Sequence, residues 1–223
     1  MNLPTMGPVT LSANSSAALT IGNAKISEKA GAIPVQLPCH EYLKALVAGG
    51  HRTDAIKFIA AWLPPRESLW FGCLGIWQVY RLLSQPGARE LLEKITEYII
   101  QPTEARLAAL GSPKEMKKDR STMGLLAQAA VFSGNNISPY PKKTVKPKPK
   151  LVGITIGNAL ISASTKWPVK NRNACLDQFI EMGLDIAEGK HLWAPNPGQN
   201  YPGLREGSRT ASMFEKTRNI WEK

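Results

Sequence analysis

Apolar residues crowd most densely between Trp62 and Leu83, in the stretch WLPPRESLWFGCLGIWQVYRLL. From Leu69 onward, Trp70, Phe71, Cys73, Leu74, Ile76, Trp77, Val79, Tyr80, Leu82 and Leu83 leave no run of four polar residues. At 3.6 residues per turn these side chains cover the whole circumference of a helix, so this helix has to be enclosed by others. Pro64 and Pro65 end whatever precedes it, and Pro65 suits a first helical position, where its missing N–H costs nothing. Glu67 then falls in the first turn and Arg81 in the last, as the helix dipole favours. Gly72 and Gly75 are placed to let a neighbouring backbone come close.

The same period marks further helices on both sides. His40 to Ala48 carries Tyr42, Leu43, Leu46 and Val47 on one face and closes at Gly49-Gly50. Thr53 is positioned to cap Asp54 to Leu63, with Ile56, Ile59, Ala60 and Leu63 as its stripe. Gly87 to Ile100, Thr103 to Leu110 and Met123 to Phe132 follow, with Ser112-Pro113-Lys114-Glu115 as a capping box between the last two. Leu151 to Ser164 is rich in β-branched residues, yet with no partner strand in so helical a chain it reads as a helix. Lys170 to Glu188 shows the clearest 3.6 period, through Cys175, Leu176, Phe179, Ile180, Gly183, Ile186 and Ala187. Short links make neighbouring segments pack antiparallel. The expected fold is all-α: a single multi-helix domain over residues 37–193 around a buried central helix, with irregular N- and C-terminal tails.

Residues 1–36 have no clear period and read as an irregular arm. Within it, Thr20 to Ser27 (TIGNAKIS) matches Thr155 to Ser162 (TIGNALIS) at all positions but Lys25 and Leu160. The flanks do not match, so chance explains the likeness better than a structural repeat. The alternative is that the arm packs in a place equivalent to the second copy. Residues 135–150 (NNISPYPKKTVKPKPK) form a linker whose four prolines favour an extended, polyproline-like connection. The C-terminal tail, residues 194–223, is irregular until a short amphipathic helix after Thr210, with Met213, Phe214, Thr217, Ile220 and Trp221 on one face. These side chains either dock on the parent domain or fill a groove on a partner.

Charge changes the picture only locally. The net charge is +11. Between Ser112 and Lys150, nine basic residues stand against two acidic ones, so one segment carries most of the excess. The lysines from Lys142 to Lys150 would give a weak, salt-sensitive, sequence-blind attraction to nucleic acid. Tyr140 is the one aromatic nearby and no helix-turn-helix signature accompanies them, so a solvated linker is the preferred account. Three scattered cysteines, Cys39, Cys73 and Cys175, make neither a disulfide framework nor a zinc site and point to a reducing compartment. The longest apolar run is too short to cross a bilayer, and no targeting signal stands out. The expectation is a cytoplasmic protein without a membrane partner.

Candidate chemistry is sparse. His40, His51 and His191 have no ligand partner at metal spacing beyond the adjacent Cys39, which leaves metal and cofactor roles without support. No GxSxG, GxGxxG or GxxxxGK[ST] occurs. The carboxylates at Glu90, Glu93 and Glu97, and at Asp177 and Glu181, have the spacing of solvated helix faces. Arg66 and Glu67, at the mouth of the central helix, either cap that helix end as a local ion pair or form a polar spot that a partner reads.

The order WLPPRESLWFGCLGIWQV, QPTEARLAAL, GLLAQAAVFSGNNISPY and FIEMGLDIAEGKHLW resembles a family of uncharacterised bacterial proteins with no assigned activity. That family places a proline and an Arg-Glu pair before a tryptophan-rich helix, a Phe-Trp/Phe-Ser-Gly-Gly segment before a proline-rich link, and Gly-Leu-Asp-Ile/Val-Ala-x-Gly before a tryptophan. The likeness covers Pro38 to Trp193, with Asn135 standing where the pattern has a second glycine. Some members are associated with type VI secretion clusters, which implies an accessory role in a protein assembly. The reading is therefore a non-catalytic adaptor or scaffold, not an enzyme, with Arg66, Glu67, Met213, Phe214, Ile220 and Trp221 as partner-contact positions. A basic nucleic-acid-associated protein is the alternative.

Overall fold

The structure, a computed structural model, describes residues 16–80, 86–111, 118–138, 140, 142–148, 150–188, 191–195 and 202–204. Within them the chain is all-α apart from one short hairpin. The helices are α1 (Ala17–Ala24), α2 (Cys39–Ala48), α3 (Arg52–Trp62), α4 (Pro65–Tyr80), α5 (Pro86–Ile100), α6 (Glu104–Ala108), α7 (Thr122–Ser133), α8 (Lys150–Ser164) and α9 (Arg172–Ala187). Two 3-10 turns, Glu28–Ala32 and Val169–Asn171, precede α2 and α9.

The central helix is enclosed as its composition demands: thirteen of the sixteen residues of α4 are buried. It touches α5, α7, α8 and α9. A Cβ on Gly72 would strike Ile156 of α8 and Leu126 of α7, and one on Gly75 would strike Leu160 of α8 and Phe179 of α9. The space at both glycines is thus filled by side chains. The close backbone approach expected there occurs instead between α3 and α8, where a Cβ on Gly153 would lie 2.7 Å from the Ala60 carbonyl oxygen and one on Gly157 3.2 Å from the Lys57 Cα. Glycines four apart on one face weaken the helix locally but let the α3 backbone lie against it, and that packing supports the helix over Leu151 to Ser164.

Helix ends follow local chemistry. Ser121 accepts from the Gly124 N–H at 3.0 Å to start α7, and Thr103 accepts from the Arg106 N–H at 3.3 Å to start α6. Gly50, at φ +74°, turns the chain after α2 in a conformation only glycine takes freely. Thr53 is not the cap of α3. The helix begins two residues earlier than expected, at Arg52, behind His51, which makes no side-chain cap. The Pro64-Pro65 corner between α3 and α4 is pinned by the Ser68 hydroxyl donating to the Ala60 carbonyl at 2.8 Å. At the far end of the bundle, the Thr122 and Ser162 hydroxyls meet at 2.8 Å, which sets α7 and α8 antiparallel.

Two stretches depart from expectation. Residues 17–24, in the segment read as an irregular arm, are helical, and Ala17, Ala24 and Ala30 are buried in the core. A helix of only eight residues, with Leu19 and Ile21 its only large apolar side chains, is too short to announce itself by period, and packing against α3 stabilises it. The second is a β-hairpin, His191–Pro195 paired antiparallel with Pro202–Leu204, across the boundary between domain and tail. The capping box at 112–115 and the helix expected after Thr210 lie outside the described residues.

Both copies of the TIGNA octapeptide are helical and both rest on α3. Thr20 and Thr155 are buried, as are Ala24 and Ala159. The copies part where their sequences differ: Lys25 leaves the helix at φ 52°, whereas Leu160 is fully buried and carries α8 onward.

Candidate functional site

Arg66 and Glu67 are neighbours in sequence with separate tasks. The Arg66 guanidinium reaches across to the C-terminus of α5, where its Nε donates to the Ile99 carbonyl and its Nη2 to the Ile100 carbonyl at 2.9 Å. Arg106 adds a third donation, from Nη1 to the Glu97 carbonyl at 2.7 Å. Arg66 therefore satisfies two carbonyls that a helix end leaves without intrahelical donors, Arg106 adds to a Glu97 carbonyl that already accepts from the Gln101 N–H at 3.0 Å, and both cations complement the negative dipole end. The capping role holds, but for the end of α5 and not of α4. Glu67 is 7% exposed, and burial pushes its carboxyl above the ordinary glutamate range against the opposing pull of its own backbone N–H and of Arg66.

Several other chemistry-bearing groups inside the domain are also committed to packing. Burial raises the Cys73 thiol far above its usual range and the Cys175 thiol to about 12, so neither carries a thiolate at neutral pH. No disulfide joins Cys39, Cys73 and Cys175, and all three are buried. Asp54, 3% exposed, accepts from Ser27 and lies 3.5 Å from the Lys57 ammonium. Gln78, fully buried, donates to Gln178 at 3.1 Å and ties α4 to α9. Among the described residues, no three His, Cys, Asp or Glu side chains converge as metal ligands, and no helix is long and apolar enough to cross a membrane.

The feature that sequence reasoning underrated is the linker between α7 and α8. Its described residues form a loop built on Asn136, whose Oδ1 accepts from the Ser138 N–H and the Val145 N–H, both at 2.9 Å. Its Nδ2 donates to the Lys143 carbonyl at 3.4 Å, and the Ile137 N–H donates to the Val145 carbonyl at 2.9 Å. Asn136-x-Ser138 is an Asx-turn pattern, and that was the signal in the sequence. At the loop's foot, a Cβ on Gly134 would strike Leu107 of α6. Ile137 packs with Leu91, Leu107 and Leu110 around Ala127 and Val131 of α7. The loop holds Lys142, Lys143, Lys146 and Lys148 exposed, with Lys150 at the start of α8, and Tyr140 is 65% exposed under the Lys143 ammonium, 6.0 Å from its ring centre.

Met213, Phe214, Ile220 and Trp221, the tail positions expected to contact a partner, lie outside the described residues. A model of a family of unknown function, DUF6931, matches residues 42–187. The chain belongs to the DUF6931 family. The match runs from within α2 to the end of α9, so the DUF6931 unit includes the enclosed central helix, the Arg66 cap and the Asn136 loop, and leaves α1 and the hairpin outside it. Gly183 and Asp185 of its Gly-Leu-Asp-Ile-Ala segment are both buried, and a Cβ on Gly183 would lie 3.2 Å from Phe71 of α4. That segment of this DUF6931 chain shapes a helix contact. Neither the curated proteins nor the solved structures contain a match to this chain.

Proposed function

We propose that this DUF6931 protein is a non-catalytic adaptor that holds other proteins in an assembly, the bacterial type VI secretion apparatus being the setting its sequence resemblance points to. The observation that carries the reading is the contrast between interior and surface. Inside, Arg66, Asp54 and the three cysteines are spent on capping, docking and filling. Outside, a folded loop displays ammonium groups that no carboxylate among the described residues neutralises.

The tail is the second contact element in this proposal, through Met213, Phe214, Ile220 and Trp221. Deleting residues 195–223 tests it. The truncated protein is expected to keep its helical far-UV spectrum and its unfolding midpoint while losing the partner that full-length protein captures from its host. Undiminished capture overturns the role of the tail. A collapse of the helical signal overturns it too, because the tail would then belong to the core.

A further inference from the structure

We infer that the Asn136 loop is a preformed docking site for a short acidic segment of another protein chain. This rests on the adaptor reading and names the chemistry of one of its contacts. Four exposed lysines fall within seven residues, and Lys146 and Lys148 flank Pro147, whose ring fixes its own φ and stiffens the leg between them. The Asn136 side chain bonds to backbone at Ser138, Lys143 and Val145 and so joins the two legs of the loop. The backbone that carries these lysines is thereby tied before any partner arrives, which lowers the ordering cost of binding. Val145, 48% exposed, adds an apolar contact between them.

Two observations favour an acidic peptide over nucleic acid. Tyr140 is the one aromatic ring in the loop, so the loop offers a single stacking platform where single-stranded nucleic acid is held by successive ones. Among the described residues, the surface beside the loop's foot does not continue the positive charge. There α5 and α6 carry exposed Glu90, Glu93, Glu97 and Glu104 against Arg89, Lys94 and Arg106. Two of these cations are paired with Glu93 and Glu90, and the third is donated to a carbonyl. A polyanion longer than the loop would run onto these carboxylates, whereas a peptide of a few acidic residues would not.

Fluorescence anisotropy with a labelled decaglutamate peptide, and with a ten-nucleotide oligothymidylate carrying similar charge, at about 50 mM salt tests this on the full-length protein. Wild type is expected to bind the peptide more tightly than the oligonucleotide. Reversing Lys142, Lys143, Lys146 and Lys148 to Glu is expected to weaken peptide binding about tenfold or more by loss of the electrostatic attraction. Asn136→Ala, which changes no charge, is expected to weaken it about threefold or more by loosening the loop. Reversal of Lys25, Lys29, Lys166 and Lys170, the same number of charges elsewhere, is expected to leave it within about twofold. Tighter binding of the oligonucleotide, an Asn136→Ala affinity equal to wild type, or equal damage from the distant reversals would each overturn the site. None of these readouts involves the C-terminal tail, so the loop can fail while partner capture through the tail stands.

Discussion

Ser27 gives both of its hydrogens to Asp54: its N–H to Oδ1 at 3.1 Å and its hydroxyl to Oδ2 at 2.6 Å. The carboxylate sits in the first turn of α3, where the helix dipole favours a negative charge, and the Lys57 ammonium lies 3.5 Å away. A segment that would otherwise be a loose arm is tied here to the core. The tie is supplemented by the Ala17 N–H donating to the Leu37 carbonyl at 3.0 Å.

Asp54→Ala is therefore expected to cost about 1.5–3 kcal/mol, the range for hydrogen bonds to a charged acceptor. The loss should be local. Amide hydrogen exchange should quicken over residues 16–37 while α4 and α8 keep their protection. Ser27→Ala combined with Asp54→Ala should cost less than the sum of the two, because they break one interaction. Additive losses, or exchange that quickens evenly through the bundle, would show that the tie does not act as described.

The octapeptide shared by α1 and α8 provides a matched pair of substitutions. Nothing lies within 4 Å of a Cβ built on Gly22, whereas one on Gly157 meets the Lys57 backbone at 3.2 Å. Gly22→Ala should stabilise by about 0.4–1 kcal/mol through helix propensity and a less flexible unfolded chain. Gly157→Ala should gain the same and lose about 1–3 kcal/mol to overpacking, for a net destabilisation. Urea midpoints of the two variants moving in opposite directions would bear this out, and a shift of the same sign in both would refute it.

Legibility followed how much each residue reveals without its neighbours. The helices from Tyr42 to Ile186 are written in apolar spacing, and α4 announced its burial because Trp70, Phe71, Leu74 and Ile76 leave it no wet face. Helix α1 was hidden because its stability comes from packing: Ala17 and Ala24 mean little until α3 lies beneath them. The same holds for Asp54, an ordinary first-turn acid in sequence whose partner is 27 residues away. Arg66 was legible as a cap, but the helix end it serves is set by tertiary structure. Asn136 could have been read from its Asx pattern, had the prolines around it not argued for a plain extended connection.

Glu67 makes stability depend on pH in an unusual direction for a carboxylate. Its folded value is raised above the ordinary range, with burial as the leading cause, so the folded state holds its proton more tightly than the unfolded chain does. Stability then falls as pH rises from the ordinary glutamate value near 4.3 toward the folded one. This is opposite to a carboxylate whose value is depressed by a salt bridge, which loses stability as pH falls. Glu67→Gln keeps the shape and removes the titration. The stability difference between wild type and Glu67→Gln, from urea unfolding at intervals between about pH 4 and 8, should therefore move steadily against wild type and then level off. A difference that is flat across this range, or that moves in favour of wild type as pH rises, would mean that burial does not govern this group.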